Sequence, residues 1–102
     1  MVLAELTIFP LDKGESLSPF VARCLEIIDA SGLDYRCHAM GTLIEGEFDD
    51  VMAVVRECFG QMAVDCDRIE CSVKIDYRKG YQGRLDSKVA SVEQKLGRRV
   101  KK

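Results

Sequence analysis

The 102 residues are enough for one domain with one hydrophobic core. Apolar residues at 47% and charged residues at 31% place the chain among globular proteins, not disordered or fibrous ones. A net charge of −2 and a pI of about 5.4 argue against nucleic-acid binding by bulk charge, and no apolar run is long enough to span a membrane.

Residues 2–9 alternate as a strand, with Val2, Ala4, Leu6 and Ile8 on one face and Leu3, Glu5, Thr7 and Phe9 on the other. The first set is wholly apolar and is expected to meet helices. Pro10 ends the strand because it cannot donate to a ladder. A polar loop over 10–17 leads to Ser18-Pro19, read as N-cap and first helical residue. Phe20, Val21, Cys24, Leu25 and Ile28 recur at helical spacing, and Gly32 supplies the left-handed stop.

Residues 34–40 form a second strand, with Tyr35, Cys37 and Ala39 on one face and Arg36, His38 and Met40 on the other. A turn near Gly41 leads straight into a third strand, 42–47, so these two strands must be antiparallel. Asp49 is read as the cap of a second helix with Val51, Met52, Val55, Cys58, Phe59 and Met62 as its apolar stripe. Gly60 weakens that helix by about 1 kcal/mol relative to alanine. Ile69, Cys71, Val73, Ile75 and Tyr77 alternate with polar residues in a strand over 68–77. A loop with two glycines follows, and Asp86 caps a last helix carrying Val89, Val92 and Leu96 up to Gly97.

The order β-α-β-β-α-β-α predicts one α+β domain over residues 1–102. Two right-handed crossovers give a ferredoxin-like βαββαβ antiparallel sheet with two helices on one face, plus a C-terminal helix. Phe20, Phe48, Phe59 and Tyr77 sit at core spacing. The uncovered sheet face carries Leu3, Phe9, Met40 and Leu43 among charges, which predicts that two sheets pack face to face and that the last helix joins dimers into a larger assembly.

Five cysteines without a Cys-x-x-Cys, with irregular spacing and no signal peptide, argue against a disulfide framework and place the chain in a reduced cytoplasm. With His38 as the single imidazole, no metal site is expected. His38 has no nucleophile beside it and reads as a structural or interface residue. The basic run Lys95, Arg98, Arg99, Lys101 and Lys102 reads as a solvated helix end that complements the C-terminal dipole. Gly80 and Gly83 belong to a linker, since no phosphate-loop context surrounds them.

The stretch 35–47 stands out for mixing glycines, a hydroxyl and carboxylates. Glu45 and Glu47, two apart on a strand, would share a face. They are either edge or interface charges, or carboxylates that recognise a cationic or amino-bearing ligand. Thr42, beside Gly41, is either a plain strand residue or a ligand contact, because glycine lets a ligand approach backbone amides. Phe9 is the aromatic side chain best placed to stack on a flat ligand.

Four segments, in order, resemble the small thiamine-binding protein family: Phe9-Pro10-Leu11, Ser31-Gly32-Leu33-Asp34-Tyr35, Met40-Gly41-Thr42-Leu43-Ile44-Glu45-Gly46-Glu47 and Lys74-Ile75-Asp76-Tyr77-Arg78. The third is the most specific. The resemblance implies a ferredoxin-like fold, a sheet-packed homodimer, often a dimer of dimers, and binding of thiamine or its hydroxymethylpyrimidine part without catalysis and without another cofactor. It directs attention to Thr42 and Glu45 as ligand-binding residues, with Pro10 and Ser16 from the first loop. An acidic protein would also attract the positive thiazolium. The alternative reading is a structural or regulatory homo-oligomer with no small ligand.

Overall fold

Alternation along β1 (Val2–Pro10) decides the layering of the molecule. Val2, Ala4, Leu6, Ile8 and Pro10 are buried, and the residues between them are half-buried. The computed structural model describes residues 1–102 and continues with α1 (Ser18–Ala30), β2 (Asp34–His38), β3 (Gly41–Gly46), α2 (Phe48–Ala63), β4 (Ile69–Tyr77) and α3 (Arg84–Leu96). The sheet order is β2-β3-β1-β4, and every neighbouring pair is antiparallel. The even face of β1 meets Cys24 and Ile28 of α1 and Val51, Val54, Val55, Cys58 and Met62 of α2 in one core. This is the expected α+β ferredoxin-like fold with a C-terminal helix added.

Several local expectations are corrected. Ser18 is the first residue of α1, after Leu17, and makes no side-chain cap. The second helix begins at Phe48, one residue before Asp49. The third begins at Arg84, after Gly83 at φ 68°, so Asp86 is not its cap. Asp49, Asp50 and Asp86 lie in first turns, where the helix dipole still favours them.

The second strand ends at His38 rather than at residue 40, so Met40 belongs to the turn and not to the sheet face. β3 ends at Gly46, which places Glu47 ahead of α2. Glu47 is exposed and 3.8 Å from the Met1 amine while Glu45 is buried, so the two carboxylates have different surroundings. Phe48, Phe59 and Tyr77 are about half exposed or more, contrary to a core role. The buried stripe of α2 is centred on Val51, Val54, Val55, Cys58 and Met62, which turns Phe48 and Phe59 to the rim. In β4 the burial fades toward Tyr77, as this strand is the edge of the sheet.

α3 crosses the open sheet face and packs on β3 and β2. Its first turn is anchored by buried Leu85, while Val92 and Leu96 are 52% and 51% exposed. The molecule measures 46 × 29 × 20 Å with a radius of gyration of 15.0 Å. A compact chain of this length would have about 13 Å. The shape is thus elongated.

Candidate functional site

β1 outruns β3. Its pairing with β4 covers every residue from Val2 to Pro10, but its pairing with β3 ends at Leu6 opposite Thr42. Beyond Leu6 the β3 side of β1 has no strand neighbour, and a cleft opens there. On the other side the Leu11 N–H donates to the Arg68 carbonyl at 2.8 Å, so odd residues of β1 aim their backbone groups at β4. By the alternation of an antiparallel ladder, Ile8 aims its N–H and C=O into the cleft.

The cleft has a volume of about 590 Å³. Leu6 and Ile8 form its floor, and Val21, Cys24, Leu25 and Ile28 of α1 form one wall. The opposite wall is the β2–β3 hairpin from Cys37 to Thr42, and Glu15, Leu17 and Ser18 close the loop side. A mostly apolar cleft with a few polar groups is the usual form of a small-molecule site. The exposure of Val21, 39% on the apolar stripe of α1, is explained by this opening.

The hairpin wall is held by specific bonds. The Met40 N–H donates to His38 Nδ1 at 3.2 Å, and Thr7 Oγ1 donates to the Met40 carbonyl at 3.1 Å. His38 Nε2 lies 3.5 Å from Glu5 Oε2, so both ring nitrogens are engaged. Gly41 fits because a Cβ there would lie 2.8 Å from both the Leu6 carbonyl oxygen and Thr7 Oγ1. On the loop side, Asp12 accepts the Asp67 N–H at 2.8 Å, which holds its carboxyl below the usual carboxylate range. Arg23 of α1 clamps Asp65 with two bonds of 2.8 and 2.9 Å, and its guanidinium lies 4.8 Å from the Phe20 ring centre.

The sequence-derived site residues separate. Thr42 lines the cleft, is 6% exposed, and no hydrogen bond within the chain engages its hydroxyl. Ser16 is exposed between Glu15 and Leu17, which line the cleft, and buried Pro10 follows Phe9, which also does. Glu45 stands outside the cleft. It points to the opposite sheet face, is 5% exposed, and accepts the Arg84 N–H at 2.7 Å and the Leu85 N–H at 3.5 Å. It caps α3.

The cleft also depends on Val21, Ala22, Cys37 and the backbone of Ile8, none of which sequence reasoning singled out as site residues. Unequal strand lengths, nine residues in β1 against six in β3, were the available signal.

These features define a ferredoxin-like domain with one cleft at the unpaired end of its first strand. The profile of the family described as thiamine-binding protein matches residues 4–93, and the chain belongs to that family. A UPF0045 protein of Methanocaldococcus jannaschii is 34% identical over 91 residues, covering 89% of this chain and 91% of the relative. A UPF0045 protein of Synechocystis is 37% identical over 93 residues, covering 90% and 77%. Among solved structures, a hypothetical protein from M. jannaschii superposes with a TM-score of 0.85 at 33% identity, covering 91% of this chain and 96% of that one. A putative thiamine biosynthesis/salvage protein from Thermotoga maritima superposes with a TM-score of 0.79 at 25% identity, covering 89% and 97%. No helix is long and apolar enough to cross a membrane.

Proposed function

We propose that this protein is a non-enzymatic binder of thiamine or its hydroxymethylpyrimidine moiety, acting in the cytoplasm as a carrier, buffer or sensor. The observation that carries this reading is the Thr42 hydroxyl. It has no partner within the chain and faces a cleft large enough for such a ligand, in a chain of the thiamine-binding family. An aminopyrimidine offers both donors and acceptors to this hydroxyl and to the free backbone edge of Ile8. The Glu15 carboxylate at the rim favours a positive thiazolium. Ser16 and Pro10 flank lining residues and shape the loop side. Glu45 serves α3 rather than the ligand, because its oxygens are already committed.

Calorimetric titration with thiamine and with hydroxymethylpyrimidine tests this directly. Thr42→Val should weaken binding about fivefold, the worth of about 1 kcal/mol for one hydrogen bond. No heat at millimolar ligand would reject the reading.

Self-association is the second part of the proposal. The half-buried Leu3, Phe9 and Leu43 on the open sheet face, with the exposed Val92 and Leu96 of α3, form apolar surface that a second copy would cover. A dimer, or a dimer of dimers, is the expected species in sedimentation. A monomer at micromolar concentration would reject this part. An oligomer that binds neither ligand would favour a purely structural or regulatory role.

A further inference from the structure

The five cysteines are not equivalent. Cys24, Cys58 and Cys66 are buried, Cys71 is half-buried, and Cys37 alone is exposed. Cys58 donates weakly to the Cys24 carbonyl at 3.7 Å, and its own thiol is pushed up by its neighbour Cys24 and by burial. Burial also pushes the Cys66 and Cys71 thiols up. Thiols raised in this way are poor nucleophiles, since the thiolate is the reacting form. The Cys24 thiol is instead lowered by its bond with Cys58, but it is 5% exposed and so shielded from a disulfide.

Cys37 differs in place as well as in exposure. It lies in β2 directly opposite Thr42 of β3, and both residues line the cleft. Its sulfur makes one weak contact, 3.9 Å to the His38 carbonyl oxygen, so no strong bond ties it down. The thiol therefore stands beside Thr42, a residue 6% exposed whose hydroxyl has no partner within the chain, at the wall of a space of about 590 Å³. Opposed residues of an antiparallel pair share a sheet face, so a group attached to that sulfur can reach the cleft.

We propose that Cys37 is a thiol-modification site for low-molecular-weight disulfides, and that the adduct occupies the cleft and blocks ligand entry. The chemistry is exchange. The Cys37 thiolate, its proton lost to solvent, attacks one sulfur of a disulfide R–S–S–R. A Cys37–S–S–R bond forms, the S–S bond of the original disulfide breaks, and R–S⁻ leaves. A small thiol in excess reverses the step. The site selectivity stands on exposure and geometry alone, while the consequence for binding rests on the thiamine reading.

The test treats the native protein with glutathione disulfide. Peptide mass mapping should find one glutathionyl group, on Cys37. Thiamine affinity should fall at least tenfold and return with dithiothreitol. Cys37→Ser should take up no glutathione, and its affinity, whatever its starting value, should not respond to the disulfide. An adduct on another cysteine, no adduct, or an adduct on Cys37 with thiamine affinity unchanged would overturn the proposal. If thiamine fails to bind the untreated protein, the thiamine reading falls by itself. Occupation of the cleft is then read from the methyl resonances of Ile8, Leu25 and Thr42. Shifts at these methyls on adduct formation support the proposal, and unmoved methyls overturn it.

Discussion

The Glu45 carboxylate of β3 accepts the backbone N–H of Arg84, the first residue of α3, at 2.7 Å and across 39 positions of sequence. The helix preceded by Gly83 has no local side-chain cap, so a strand residue supplies one. Asp76 of β4 adds to the anchor. It pairs with Lys88 and with Arg84, which together hold its carboxyl below the usual range. Arg36 of β2 reaches Asp86 at 3.3 Å.

From this relationship, Glu45→Ala should loosen α3 by about 1 kcal/mol, the usual cost of a lost cap. Amide exchange over residues 84–96 should speed up, while the core amides of β1 and α2 keep their protection. Glu45→Gln retains an acceptor oxygen and should lose less. Weaker thiamine binding with unchanged α3 exchange would instead assign Glu45 to the ligand.

Gly60→Ala should stabilise the protein by about 0.5–1 kcal/mol. Gly60 lies inside α2, and a Cβ there meets nothing within 4 Å. For a domain of this size the melting temperature should rise by roughly 2–8 °C. A lower melting temperature would show that something packs on this face.

Gly41→Ala has the opposite expectation. The added Cβ would lie 2.8 Å from the Leu6 carbonyl oxygen, which belongs to a central strand and cannot turn aside. A cost of about 1–3 kcal/mol follows, as for other overpacked sites. The hairpin wall should move with it, so thiamine affinity should fall together with the urea midpoint. An unchanged midpoint would mean that the β2–β3 turn yields freely.

The Arg23–Asp65 clamp makes an acid-range prediction. Its hydrogen bonds from Arg23 lower the Asp65 carboxyl from an ordinary 3.8 to about 2. A folded-state value below the unfolded one stabilises above the unfolded value and is lost as pH falls through the folded one. The stability gap between the native protein and Arg23→Gln should therefore be constant above about pH 5 and shrink from about pH 4 toward pH 2. Both side chains are 40% or more exposed, so the gap is small and salt-sensitive. Urea melts at stepped pH measure it, and a gap independent of pH would remove the pairing as its cause.

Fold and site were legible to different depths. The alternation of Val2, Ala4, Leu6 and Ile8 against Leu3, Glu5, Thr7 and Phe9 located the core face without error, since a strand has only two faces. The caps assigned to Ser18, Asp49 and Asp86 failed because capping residues also suit the first turn. Thr42 was legible as a candidate through its neighbours, and it lines the cleft. Cys37 was not, because a cysteine in a strand looks the same whether its sulfur faces a core or an opening.

The sequence by itself determined the periodicities, hence seven elements and a sheet with one apolar face. Short-range chemistry is enough for that, because side-chain direction follows from backbone period. Only the tertiary structure decided that β1 extends past β3, which creates the cleft, and that Glu45 caps α3. Both depend on where segments distant in sequence end relative to one another, and no local pattern encodes that distance.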